Sequence, residues 1–222
     1  MNIFKSKRKY GHIISLGYNC EISFQFFLQY HFVESALFAW ANTINCNNVI
    51  NVLKNPDVLL SAGLQKDGIM FKDVASGVSF HGKEGLDDLQ SAMDELGSRI
   101  QYLKYKFFTT ASDGKKNLYI FKYPPLNVEP DVAKKEILEL HNVLTQIVKN
   151  EFDLLIILEE NMYPNLQFDI NNLFIRRVKF FTPPERVTRS PYDKKHFGKI
   201  FHEFCPNFKL PKSKKFKFEE KN

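Results

Sequence analysis

The sequence predicts an α/β domain: a central, mostly parallel sheet with helices on both faces. Residues 152–158, Phe-Asp-Leu-Leu-Ile-Ile-Leu, form a nearly continuous apolar run, the pattern of a strand covered on both sides rather than one with a wet face. Short apolar runs alternate along the chain with longer segments whose apolar residues recur every three or four positions. Strands alternating with helices of that length build βαβ units with right-handed crossovers. The 222 residues contain no internal repeat and no interior linker, which suits a single domain spanning residues 1–222.

The first strand is expected at residues 13–16, ending at Gly17, and an amphipathic run follows from Glu21 to Tyr30. The asparagine-rich stretch 42–51 reads as a turn leading into a short helix at 49–53, punctuated by Asn55-Pro56-Asp57, after which Val58-Leu59-Leu60 resumes an apolar patch. Residues 68–73 and 77–81 read as two short strands forming a hairpin-like excursion from the main sheet. Leu89, Met93, Leu96, Ile100, Leu103 and Phe107 mark the clearest amphipathic helix, over 86–108. A strand at 116–123 is closed by Pro124-Pro125, a helix spans 131–148, further strands lie at 152–158 and 178–181, and a terminal helix covers 196–204.

The formal charge of +6 is concentrated at the ends, in Lys5-Ser6-Lys7-Arg8-Lys9 and between Lys209 and Lys217. Residues 1–10 and 209–222 are therefore expected to be flexible basic ends. Between them, acidic and basic residues are interspersed as on a solvated surface. No RNA-recognition motif, zinc finger or glycine-rich phosphate loop accompanies the charge, so nucleic acid is not the expected partner and no cofactor is expected; the alternative role of the basic ends is attraction to phosphate, acidic glycan or anionic lipid. Cys20, Cys46 and Cys205 are odd in number and widely spaced, without the clustering of a zinc site, which points to reduced thiols and no metal. No apolar run reaches bilayer length and the first ten residues do not form a secretory signal. A soluble cytoplasmic protein is the expectation.

Chemistry concentrates at the end of the first strand. Ser15-Leu16-Gly17-Tyr18-Asn19-Cys20 places a thiol where a helix begins. Unpaired N–H groups and the positive end of the helix dipole favour a thiolate there, and the same N–H groups suit a developing oxyanion. Asn19 is the expected N-cap, and Glu21 in the first turn suits the dipole while opposing a thiolate. In open parallel sheets ligands bind beyond the carboxyl ends of the strands. Lys122-Tyr123-Pro124, Glu159-Glu160-Asn161 and the stretch from Thr182 to Arg186 occupy such positions along with Cys20. Gly17, Tyr18, Asn19 and Trp40 are the candidate substrate-contacting residues. The Glu159-Glu160 pair lacks histidine or aspartate at ligand spacing and reads as a solvated loop.

The segment Ile14-Ser15-Leu16-Gly17-Tyr18-Asn19-Cys20 resembles the opening motif of a bacterial and viral domain family of unknown function, described as papain-like cysteine peptidases. Leu37-Phe38-Ala39-Trp40, Asp73, Ser79-Phe80-His81-Gly82, Arg99-Ile100 and Leu118-Tyr119-Ile120-Phe121 follow that family's later motifs in order, over about three-quarters of the chain. Ala39 and Gly82 stand where the family carries aspartates, which puts activity in doubt. The resemblance implies Cys20 as nucleophile, His81 as base and Asp73 as the residue orienting it.

A cysteine nucleophile needs an imidazole, and a third residue to orient that ring. His12, His31 and His141 sit at a strand start, a helix end and within a helix, where surface or capping roles are expected. Asp193-Lys194-Lys195-His196 also resembles the Asp-x-x-His block of SGNH-type esterases, making His196 with Asp193 the alternative base and orienter. The reaction expected is hydrolysis of an acyl or amide bond, or acyl transfer to an acceptor such as a glycan. The opposed reading is a binding module that kept the fold, lost the chemistry and recognises a glycan or phosphate-bearing ligand.

Overall fold

The computed structural model of the chain describes residues 9–31, 35–82, 88–124, 128–183 and 193–205. Its main sheet has four parallel strands, β1 (His12–Ser15), β6 (Asn117–Lys122), β7 (Phe152–Glu159) and β8 (Leu173–Val178), in that spatial order. Side chains alternate across it as the two-residue period requires. Ile13, Leu118, Ile120, Leu155 and Ile157 face one side, where Ile22 and Phe26 of α1 (Glu21–Tyr30) and Phe197, Ile200, Phe201 and Phe204 of α5 (Lys194–Phe204) cover them. Ile14, Tyr119, Phe121, Leu154, Ile156 and Leu158 face the other, beneath α2 (Cys46–Lys54), α3 (Leu89–Thr110) and α4 (Pro130–Ile147). All six residues of β6 are buried, as a strand covered on both faces demands. The α/β class and the parallel sheet are as the sequence predicts.

Between α1 and α3 the chain builds a second, antiparallel sheet of four short strands in the order β2 (Ala41–Asn42), β5 (Ser79–His81), β4 (Met70–Asp73), β3 (Leu64–Asp67). The expected hairpin is β4 paired with β5, joined through Gly77, whose φ of 72° suits the turn. Strand β3 is an addition to the expectation. It pairs with β4 across a tight turn at Gly68, but its own residues, Gln65, Lys66 and Asp67, are exposed and carry no apolar alternation to betray it.

The last main-sheet strand is displaced from the expected 178–181 to Leu173–Val178. Arg176 and Arg177 mask it in the sequence. As an edge strand, β8 can carry charge: Arg176 pairs with Glu203 of α5, and Arg177 donates to the Tyr163 carbonyl at 2.8 Å. The second helix starts earlier than 49–53, at Cys46, because the Asn45 side chain accepts from Asn48 N–H at 3.0 Å and caps it. The basic ends, apart from Lys9 and Tyr10, and residues 184–186 of the loop after β8 lie outside the described residues. No helix among the described residues is long and apolar enough to cross a membrane.

Candidate active site

Leu16 to Cys20 leave β1 at its carboxyl end and turn sharply into α1. Gly17 and Tyr18 both have left-handed backbones, with φ of 96° and 71°, and a non-glycine residue held there signals surrounding structure that over-determines it. Thr43, just after β2, supplies it: its hydroxyl accepts from Tyr18 N–H at 2.8 Å and its N–H donates to the Tyr18 carbonyl at 3.1 Å. Gly17 is packed so closely that a Cβ there would lie 2.8 Å from Thr43 Cγ2.

This stitching carries His81 to the thiol. Thr43 follows β2, β2 pairs with β5 in the register Ala41 to Phe80, and His81 is the next residue of β5. Ser23 of α1 also donates to the Ala39 carbonyl at 2.6 Å, fixing the turn before β2 against the helix. The result is a Cys20 Sγ to His81 Nε2 distance of 3.5 Å, across 61 positions of sequence. The His81 backbone is held from behind by the Arg99 guanidinium, which donates to its carbonyl. Just beyond, a Cβ at Gly82 would lie 2.5 Å from Phe71 Cε2, so in this arrangement an aspartate at that position would have to displace the Phe71 ring.

Cys20 itself takes the N-cap position of α1, and the Asn19 carbonyl oxygen Oδ1 accepts from Glu21 N–H at 3.1 Å. The expected cap, Asn19, therefore lies one residue outside the observed N-cap, Cys20, and serves the helix start from there. The thiol is buried, and burial pushes its pKa up to about 11 against smaller lowering effects from its backbone environment and the Lys122 ammonium. Burial thus favours a neutral thiol beside the imidazole over a preformed thiolate. Cys205 is likewise pushed up to about 12 by burial, and Cys46 is raised by burial and then by Glu136.

A consequence can be measured with iodoacetamide. At pH 8 a thiol near 11 holds roughly two-hundredfold less thiolate than one of ordinary pKa, and the stronger nucleophilicity of a more basic thiolate recovers about tenfold. Cys20 alkylation should therefore run about twentyfold slower than that of a model thiol, rising until about pH 11. Peptide-resolved alkylation rates between pH 6 and 11 measure this. A plateau reached below pH 8 would instead indicate an ion pair with His81.

Beneath the thiol lies a buried ion pair that sequence reasoning missed as a pair. Lys122 at the end of β6 and Glu21 at the start of α1 are both completely buried, with the ammonium on the carboxylate. Lys122 Nζ also lies 3.2 Å from Asn19 Oδ1, 4.9 Å from the Tyr18 ring centroid and 4.4 Å from that of Phe181. Glu21 additionally accepts from Thr182 N–H at 3.0 Å and from the Thr182 hydroxyl. Thr182 and Phe181 belong to the loop after β8, so the loops after β1 and β8 gather here with the carboxyl end of β6. Glu159 joins them by accepting from Phe181 N–H at 2.6 Å. The signal available in the sequence was an ionisable residue at each of two strand-to-helix junctions, Lys122 and Glu21.

Asp73 is not placed as the orienter. It is fully buried, but its oxygens accept from Leu60 N–H at 2.6 Å and Ser76 N–H at 2.8 Å. Met70, not Asp73, is the β4 residue in register with His81, which leaves Asp73 at the far end of that strand. Its carboxylate ties the small sheet together. Asp73→Ala should lower unfolding free energy by about 2–3 kcal/mol, measured in urea, because the N–H groups of Leu60 and Ser76 both lose a charged, fully buried acceptor.

The alternative base pairs as its spacing predicts, with His196 Nδ1 on the Asp193 carboxylate. That block sits elsewhere, however. Lys194 and Gly198, on either side of His196, both lie against the Gln29 side chain, nine residues and about 13 Å along α1 from Cys20. No hydrogen bond links His196 to Cys20. His12 pairs with Asp113 at 2.8 Å, His31 caps α1 with a φ of 51°, and His141 bonds Asn172 at 2.9 Å.

Trp40 is half-buried, edge-on to Phe24 at 4.9 Å, and lines a cleft of about 290 Å³ shared with His81. Among the described residues no cluster of three or more His, Cys, Asp or Glu side chains is disposed to hold a metal ion. No family model, curated protein or solved structure matches the chain.

Proposed function

We propose that this protein is a cysteine-dependent hydrolase or acyltransferase in which Cys20 is the nucleophile and His81 the general base. The observation that supports this reading is the 3.5 Å approach of Sγ to Nε2 at the start of α1. Because the thiol is neutral at rest, the proton moves as the bond forms. Sγ attacks a substrate carbonyl carbon and its proton passes to Nε2, which carries the lone pair when the ring proton is on Nδ1. The tetrahedral intermediate then expels an amine or alkoxide, which takes that proton from Nε2, leaving a thioester on Cys20. Water, or an acceptor hydroxyl or amine, next gives a proton to Nε2 as it attacks the thioester, and the departing Sγ recovers the proton.

The test is acylation by an activated ester such as p-nitrophenyl acetate at pH 7.5, with mass spectrometry locating the adduct. An adduct on Cys20, formed much faster than on Cys46 or Cys205 and lost in Cys20→Ala, is the expected result. A second reading, the non-catalytic binding module, draws on the buried thiol with its pKa near 11. It requires that all three cysteines acylate equally slowly.

A further inference from the structure

The cleft beside His81 has a composition that bears on what the site accepts. Leu37, Trp40, Phe80, Ile100 and Leu103 line it together with His81 and Arg99. Of the polar groups in the lining, the Ser35 carbonyl accepts from Lys106 Nζ at 2.5 Å, and one Arg99 nitrogen donates to the His81 carbonyl. An apolar cavity of about 150 Å³ holds a benzene ring, so the 290 Å³ here has room for a ring with a short chain or for a chain of about six carbons.

We propose that this cleft is the acyl-binding pocket of the enzyme and selects substrates whose reacting carbonyl carries a neutral, apolar group of about six carbons. This rests on the Cys20–His81 reading in one respect only, the identity of the reacting atom. A carbonyl carbon on Sγ is flanked by His81, and His81 also lines the cleft, so one substituent of that carbon can be directed among Trp40, Phe80 and Leu103. Specificity then comes from apolar burial, with a strength set by chain length.

Trp40 is the single tryptophan of the chain, so its fluorescence reports on this cleft alone. In full-length Cys20→Ser protein, where no covalent step intervenes, acetamide, butyramide and hexanamide are titrated against Trp40 emission, with hexanoate alongside. Each methylene buried should tighten binding about fourfold until the cleft is full. Leu103→Gln, a change at a half-buried helix position, should weaken hexanamide about tenfold. Binding that ignores chain length, hexanoate binding far better than hexanamide, or indifference to Leu103→Gln would overturn the proposal; the second would make the site an anion site on Arg99. Acylation of wild-type protein by p-nitrophenyl acetate and hexanoate separates the two claims. Acylation of Cys20 without preference for hexanoate defeats the pocket and leaves the dyad. Chain-length-dependent amide binding without acylation defeats the dyad and leaves the pocket.

Discussion

His81→Ala should slow acylation of Cys20 by at least about a hundredfold, the usual scale for loss of a general base, while His196→Ala leaves the rate within about twofold. The contrast follows from placement. His81 reaches the thiol through the hydrogen bonds that link Tyr18 to Thr43 and the pairing of β2 with β5, whereas His196 lies on the turn of α5 between Lys194 and Gly198, which meet Gln29 at the other end of α1. The pH profile separates a base from a structural residue. Acylation assisted by His81 should follow deprotonation of the imidazole and then level off, whereas the thiol, pushed up to about 11 by burial, supplies thiolate only toward that pH. In His81→Ala the profile should lose that inflection and climb with thiolate toward pH 11. His81→Gln controls for loss of the side chain's volume, since it fills similar space without a basic nitrogen. A wild-type profile without the imidazole inflection, or an effect of His196→Ala as large as that of His81→Ala, would remove His81 from the base role.

What the sequence disclosed and what it hid divide along physical lines. Leu154 to Leu158, the helix periodicity from Leu89 to Phe107 and the glycine turn before Cys20 are local patterns, each with one dominant solution, and each appears in the fold. Strand β8 lies N-terminal to its expected position because Arg176 and Arg177 have the composition of a loop, and only Glu203 and the Tyr163 carbonyl, distant in sequence, accommodate them in a strand. The Cys20–His81 approach was indicated by motif order, but its cause, the Thr43 contact with Tyr18, is a long-range hydrogen bond with no periodic signature. Asp73 shows the converse. An aspartate on the strand paired with that of a candidate base suggests an orienter, yet the turn chemistry of Leu60 and Ser76 claims it first. Composition registers Lys122 and Glu21 as two surface charges of opposite sign, and only the topology, which sets the end of β6 beside the start of α1, makes them a buried pair.

Lys122→Met should lower unfolding free energy by about 3–5 kcal/mol, the largest stability effect expected of any single substitution in the site. Removing the ammonium leaves the Glu21 carboxylate buried with only the Thr182 N–H and hydroxyl to satisfy it, and an uncompensated buried charge is far more costly than the net worth of the pair. Glu21→Gln should cost less. Its amide oxygen still accepts from Thr182, and Lys122 retains Asn19 Oδ1 and the faces of Tyr18 and Phe181. The double variant Lys122→Met with Glu21→Gln should recover most of what Lys122→Met alone loses, because no buried charge remains, and urea unfolding of all four proteins completes the cycle. The same cycle bears on the thiol. Lys122 lowers the Cys20 pKa from below while burial raises it, so loss of the ammonium should move the alkylation midpoint further above 11 even where the fold survives. Equal destabilisation by both single variants with no recovery in the double would mean that the pair acts by packing alone, and an unmoved alkylation midpoint would detach it from the chemistry of Cys20.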